Sequence, residues 1–347
     1  MTALLIVTLA LWSVGWLLLR RMKTCGAGTA GDIAADRLSI IIPARNEEQN
    51  LPTLVRSITA QRVKLHEIIV VNDGSTDRTA EIAQRLGVRV VNSRPLPDGW
   101  RGKTWACHQG AQAATGEWFM FLDADAWFEP EGLARVLANY SGGAFSVGPF
   151  HAVRSAYEDL SLFFNFNMTV GTVPERLFGQ MLLVDRESYR RVGGHEAVKG
   201  RILENFWLAG QFREAGIAVR SVTGRGVFSF RMYPGGLSEL IAGWTKGFAA
   251  GAGQTPRGTL FLVVVWMIGL VFAPLGWVMT GDWLRWGAMY LLCVVQVAWF
   301  GRLVGAFRWF TALLYPVPLI FFFLGFAWSA ARSGKRVSWK GREIRAD

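Results

Sequence analysis

The stretch from Leu260 to Thr280 carries no charged side chain. It is long enough to cross the hydrocarbon core of a bilayer, which takes about 20 apolar residues in a helix. A helix apolar on every side has no stripe for water and needs lipid or other protein around it. Ala3 to Leu19 is almost wholly apolar too, and Arg20, Arg21 and Lys23 follow it. A secretory signal peptide carries its positive charge before the apolar run, so this run reads as an uncleaved anchor with its basic flank in the cytoplasm. A short turn after Thr280 leads into a second C-terminal span ending near Arg302, and Trp309 to Ala330 is a third run, broken by Pro316 and Pro318. Three full passes would leave the basic tail, Arg332 to Arg345, outside. Two passes plus a proline-broken re-entrant or interfacial segment keep it inside, and that arrangement is expected. The chain thus divides into an N-terminal anchor (1–22), a central domain (23–258), a C-terminal membrane region (259–331) and a basic cytoplasmic tail (332–347).

With 51% hydrophobic and 18% charged residues, the chain is neither disordered nor an ordinary soluble enzyme. Its net charge of +11 admits anionic partners. No nucleic-acid-binding motif accompanies that charge, and basic flanks beside apolar spans have a membrane explanation. Cys25, Cys107 and Cys293 are too few and too scattered for a disulfide framework or a zinc site.

In the central domain, short β-branched runs alternate with helical stretches. Strands are expected at 38–43, 67–72, 88–91 and 118–122, and helices at 46–61, 77–86 and 103–114. This alternation predicts an α/β domain with a mainly parallel, Rossmann-like sheet and helices on both faces. Ligands in such sheets bind beyond the carboxyl ends of strands. Arg45, Asn46 and Glu47 follow the first strand, Asp73 the second, and Asp123 and Asp125 the fourth.

Leu122-Asp-Ala-Asp-Ala126 sets two carboxylates one residue apart at the end of an apolar strand. Mg²⁺ or Mn²⁺ takes oxygen ligands, commonly one or two carboxylates plus substrate phosphates, which leaves the other carboxylate for a ribose hydroxyl. A solvated strand-end turn explains the same residues. Asn72-Asp-Gly-Ser-Thr-Asp77 is either a turn in which Asp73 reads a nucleobase edge or a helix N-cap. Pro43-Ala-Arg-Asn-Glu-Glu48 is either a capping loop or a base-binding pocket. Two matches are decoys. Gly26-Ala-Gly-Thr-Ala-Gly31 follows a basic flank rather than a strand, and Gly102-Lys-Thr104 lacks the upstream glycine of a P-loop, with Pro97 in its place. Lys103 near a helix start is a phosphate contact or a solvated charge.

Ile40-Ile-Ile-Pro-Ala-Arg-Asn-Glu47, Val70-Val-Asn-Asp-Gly-Ser-Thr-Asp77 and Phe121-Leu-Asp-Ala-Asp125 together resemble the family 2 glycosyltransferases of GT-A fold. The resemblance implies a nucleotide-sugar donor, usually a UDP-sugar, and a divalent metal, Mg²⁺ or Mn²⁺. It places Pro43, Arg45 and Glu47 at the uracil or ribose, with Ala44 in the same loop. Asp73 then holds the base, Asp123 the ribose (with Ala124 beside it), and Asp125 the metal bridging the diphosphate. A narrower set, Asp98-Gly-Trp-Arg-Gly-Lys-Thr-Trp-Ala-Cys-His-Gln-Gly110, Phe230-Arg-Met-Tyr233, Gly243-Trp-Thr-Lys246, Gly251-Ala-Gly253 and Trp339-Lys-Gly-Arg342, is similar to the bacterial 4,4'-diaponeurosporenoate glycosyltransferases. Those membrane enzymes glucosylate a C30 carotenoid acid on the way to staphyloxanthin-like pigments. That likeness implies UDP-glucose and a lipid-soluble carotenoid acid as partners, at the cell membrane, with a multi-pass chain and a cytoplasmic catalytic domain.

Many inverting members of the wider family carry a Glu-Asp pair whose Asp is the general base. Here Glu204 is followed by Asn205, which cannot take a proton. Either Glu204 is the base, or the acceptor is an acid that needs none. Asn205, Trp244 and Lys246 are the acceptor-side candidates. Trp244 either stacks on a sugar or polyene or only packs, and Lys246 pairs with the diphosphate or the acceptor carboxylate. Leu160 to Val170 reads as an interfacial helix admitting a lipid or as a core helix. The Q-x-x-R-W element of processive members is absent in strict form, which disfavours a polymer synthase. Other lipid acceptors, of polyprenyl phosphate or hopanoid type, and a non-catalytic nucleotide-sugar receptor are the remaining alternatives.

Overall fold

The computed structural model describes residues 2–27, 35–244 and 255–331, and the backbone of 336–339 and 342–345. Lys246, the Gly251-Ala-Gly253 run and most of the Gly26–Gly31 run lie outside the described residues. The chain forms two compact units. One comprises Met1–Lys23, His151–Gly171 and Met232–Ser333, and the other Thr24–Phe150, Thr172–Arg231 and Gly334–Asp347.

The second unit holds strands β1 (Leu38–Ala44), β2 (Glu67–Asn72), β3 (Arg89–Asn92), β4 (Trp118–Leu122), β5 (Ala126–Phe128), β6 (Ala144–Gly148), β7 (starting at Phe150), β8 (Met181–Asp185), β9 (Val219–Thr223) and β10 (Phe228–Phe230). Seven of them form a sheet in the order β3-β2-β1-β4-β8-β6-β9. Four of its six pairings are parallel; β8 runs antiparallel to both β4 and β6. β5 and β10 pair separately and antiparallel. Helices α2 (Leu51–Thr59), α3 (Thr79–Arg85), α4 (Gly102–Ala113), α5 (Gly132–Ala138), α7 (Arg186–Arg191) and α8 (Glu204–Glu214) complete the unit.

The expected strands are present because their β-branched and aromatic side chains have a core to fill. Ile41, Ile69, Val71, Phe119, Phe121, Leu182 and Val184 are buried with Leu208 and Phe212 of α8. α4 approaches closely through Ala106, Cys107 and Gly110. A β-carbon at Gly110 would lie 2.4 Å from Ile41 Cγ2. The helix expected over 46–61 begins only at Leu51. Asn46 sits at a left-handed φ of 54°, and the amides of 46–48 are spent on side chains of the next loop.

In the first unit, helix α1 (Thr2–Leu19) runs antiparallel to α9 (Arg257–Thr280), which returns through α10 (Trp283–Val304). All three are long and apolar enough to cross a membrane. The antiparallel register is fixed by contacts along the pair. Arg21 Nη1 donates to Thr259 Oγ1 at 2.8 Å, Gly15 leaves room for Trp266, and Gly269 packs on the backbone of Leu11 and Trp12. Small residues at such crossings let apolar helices approach. Gln296, fully buried, accepts from Trp266 Nε1 at 2.7 Å and donates to the Trp12 carbonyl at 3.1 Å, tying all three together.

Helix α6 (Leu162–Thr172) starts against these helices, with Phe163 and Phe166 on Trp266 and Phe166 stacked on Phe300 at 4.9 Å. Leu162, Phe163, Phe164 and Phe166 are all buried, which answers the Leu160–Val170 question for a core helix. The chain then makes a hairpin from α11 (Trp309–Leu313) and α12 (Pro316–Ala331). Arg308 opens it, held by Asp159, whose carboxylate also takes Thr311 Oγ1 at 2.7 Å. At the turn, Tyr315 Oη donates to the Leu270 carbonyl, near the middle of α9. On the way back, Phe322 meets Phe164 at 5.0 Å and Gly325 leaves room for the same ring. The hairpin therefore enters to about half the depth of α9 and returns, as Pro316 and Pro318 at its turn permit.

Candidate active site

The sheet order sets the carboxyl ends of β2, β1 and β4 side by side, and each end leads into a polar loop. The first two loops are laced together. The Asn46 amide donates to Ser75 Oγ, the Glu47 amide to Thr79 Oγ1, and the Glu48 amide to Asp77 Oδ2. Asn46 Oδ1 accepts from the Thr76 amide at 2.8 Å. Burial pushes the Asp77 carboxyl up, but hydrogen bonds from Thr79 and Glu48 overcome it and hold the group below its ordinary value.

Arg45 Nη1 donates to the carbonyls of Asp73 (2.6 Å) and Gly74 (3.2 Å), and the Asp73 amide donates to the Ala44 carbonyl at 2.8 Å. Gly74 has a φ of 62°, which favours glycine at this turn. Glu47 Oε2 accepts from Asn50 Nδ2 at 2.8 Å. Pro43, Ala44, Arg45, Glu47 and Asp73 thus share one edge, with the Asp73 side chain buried. In the 72–77 loop, Asp77 Oδ1 accepts from the Thr79 amide at 3.0 Å at the first residue of α3, whose N-cap position is Arg78, and Asp73 directly follows β2.

After β4, the Asp123 amide donates to the Gln180 carbonyl at 3.0 Å, and the Ala126 amide returns to the Asp123 carbonyl at 3.3 Å. This tight turn buries Ala124 and leaves Asp123 and Asp125 half-buried. Lys103, one residue into α4, reaches across to Asp123. Its Nζ lies 2.7 Å from Asp123 Oδ1, 2.8 Å from Glu204 Oε1 and 2.9 Å from the Gly179 carbonyl. Burial works against the Lys103 charge, yet Asp123 and Glu204 hold its pKa above the ordinary lysine value. Burial pushes Glu204 up, and Lys103 overcomes this and holds it below the usual carboxylate range. For Asp123 burial prevails, and its carboxyl is raised.

Asn205 is buried beside this triangle. Its Nδ2 donates to the carbonyls of Phe178 (2.8 Å) and Gly179 (3.3 Å). The role of Gly179 is invisible in the sequence, because a backbone carbonyl leaves no trace in residue type. Trp244 lies in the other unit, where its Nε1 donates to Ser161 Oγ at 2.9 Å and its ring stacks on Phe164 at 4.7 Å. Its ring is thus engaged in packing.

The donor set suits a hard divalent cation. It is all oxygen, and no group of three His, Cys, Asp or Glu side chains is placed to hold an ion among the described residues. An ion at Asp125, beside Asp123, would draw its other ligands from phosphate and water, as Mg²⁺ does.

The sheet is largely parallel, with acidic loops at adjacent strand ends, and residues 39–160 match glycosyl transferase family 2. The chain belongs to that family. Its fold is GT-A-like, and it is an enzyme of this class. It is 33% identical over 329 residues to 4,4'-diaponeurosporenoate glycosyltransferase of Staphylococcus aureus strain USA300, covering 88% of each chain. The strain MRSA252 protein of the same name gives the same identity and coverage. A mannosyltransferase from Pyrobaculum calidifontis, solved in complex with GDP-Man and Mn²⁺, shares the fold at a TM-score of 0.55, over 95% of this chain and 98% of that one, with 16% identity.

Proposed function

We propose that this chain is a membrane-bound, inverting glycosyltransferase that moves glucose from UDP-glucose to the carboxylate of a C30 apocarotenoid acid, giving a glycosyl ester. The observation that carries this reading is the pairing of Glu204 with Lys103 beside Asn205. A carboxylate held ionised by an ammonium is a poor proton acceptor, and the neighbouring amide accepts no proton at all. An alcohol acceptor needs a base to remove its proton in the transition state. A carboxylic acid, with a pKa near ~4, arrives already ionised and attacks the anomeric carbon unaided. The name of the S. aureus relatives, 33% identical, supports the same acceptor.

In this reading Pro43, Ala44, Arg45 and Glu47 line the uracil and ribose, Asp73 accepts from the base, Asp123 with Ala124 meets the ribose, and Asp125 holds Mg²⁺ or Mn²⁺. The ion, when bound, neutralises charge developing on the departing diphosphate. The apolar helices anchor the chain in the cell membrane. Arg20, Arg21, Lys23, Arg257 and Arg302 gather at one end of them, which supports a cytoplasmic placement of that end.

The test is mass spectrometry of lipids from a host that makes the carotenoid acid, with and without this chain. A new hexosyl ester supports the proposal. A hexose appearing on a polyprenyl phosphate or hopanoid instead overturns the acceptor. UDP-glucose left intact in the presence of divalent metal and carotenoid acid overturns the reaction.

A further inference from the structure

We infer that Lys103 is a positioning residue that fixes Asp123 and Glu204 in one arrangement, rather than a ligand of the donor phosphates. A lysine ammonium has three N–H donors and no acceptor. Here three acceptors surround it: Asp123 Oδ1 at 2.7 Å, Glu204 Oε1 at 2.8 Å and the Gly179 carbonyl at 2.9 Å. They belong to three separate pieces of chain, the end of β4, the start of α8 and the segment entering β8. The side chains of Lys103, Asp123 and Glu204 are 22%, 27% and 9% exposed, so water screens their charges weakly. Two carboxylates in such a space repel each other. One ammonium between them leaves a single net negative charge and a fixed geometry. A phosphate drawn to this ammonium has to share it with two carboxylates already at ion-pair distance and with the Gly179 carbonyl.

The two roles make opposite forecasts for a second substitution. In Lys103→Met, Asp123 and Glu204 face each other without a counter-charge. If Lys103 acts by holding them, removing one of the charges with Glu204→Gln relieves the damage. If Lys103 acts on the diphosphate, Glu204→Gln brings no relief.

The measurement is UDP affinity by calorimetry in detergent with divalent metal, for the wild type, K103M, E204Q and K103M/E204Q, each with its melting temperature. The inference rests on the UDP-sugar donor proposed above but not on the acceptor. We expect K103M to weaken UDP binding by on the order of tenfold or more, and the double variant to return to within about threefold of E204Q, the non-additivity of coupled residues. A double variant as weak as K103M overturns the inference, as does a K103M protein that binds like the wild type. If the wild-type protein binds no UDP, the donor reading itself fails and this role falls with it.

Discussion

The family resemblance implies a general base where Asn205 stands, and placing a carboxylate there separates two views of this residue. If Asn205 is merely a missing base, Asn205→Asp improves the protein. Its surroundings argue otherwise. The Nδ2 group is buried and donates to two carbonyls, Phe178 at 2.8 Å and Gly179 at 3.3 Å. In the aspartate variant an anionic oxygen faces both carbonyls, about one net hydrogen bond is lost, and a new charge lies near Asp123 and Glu204. Breaking a buried hydrogen-bonded arrangement with an uncompensated charge costs about 3 kcal/mol. For a domain of this size that lowers the melting temperature by roughly 6–12 °C. Asn205→Ala, which removes the donor without adding charge, should cost about 1–2 kcal/mol. The assay is thermal unfolding in detergent for the three proteins, with ester formation measured alongside. The Asn205→Asp penalty should shrink as pH falls and the new carboxyl takes up a proton. An Asn205→Asp protein that melts within about 1 °C of the wild type, while gaining turnover on an alcohol acceptor, refutes this reasoning.

Gln296→Leu should loosen the apolar bundle by about 1 kcal/mol through loss of its bonds to Trp266 and Trp12, read as earlier thermal unfolding in detergent. Gly110→Ala should destabilise by about 1–3 kcal/mol, because the added carbon meets Ile41 and Val71, and a urea midpoint will register it. Burial lowers the His195 pKa to about 3 from 6.5, so its neutral form is favoured in the fold. That contribution is fully present above pH 6.5 and is lost as pH falls towards 3. A melting-temperature series across this interval should decline, and His195→Gln should flatten part of the decline.

Much of the site was legible because strand ends are announced by composition. The runs 67–72 and 118–122 are strands as read, and 38–43 gains only Ala44. Their β-branched and aromatic residues have one good burial solution, which puts the acidic loops on one edge. The 46–61 helix was over-extended for a physical reason. Asn46, Glu47 and Glu48 look like a capped helix start, but their amides are drawn to Ser75, Thr79 and Asp77, 29 to 32 residues away. Periodicity within a window carries no information about such partners. The antiparallel insertion of β8 between β4 and β6 was equally hidden, since strand direction is set by pairing rather than by local pattern. Lys103 was recognised as a charge at a helix start, but its three acceptors come from distant segments and one is a bare carbonyl. Pro316 and Pro318, by contrast, marked the reversal at Tyr315 directly.

The hairpin formed by α11 and α12 turns back at the level of Leu270. Under the membrane placement proposed above, one monolayer accommodates the three long helices together with both arms of the hairpin, and the opposite monolayer only the three. This helical unit is accordingly tapered. In that placement headgroup size and acyl-chain order in the leaflet that holds the hairpin are expected to set how tightly the wedge is held.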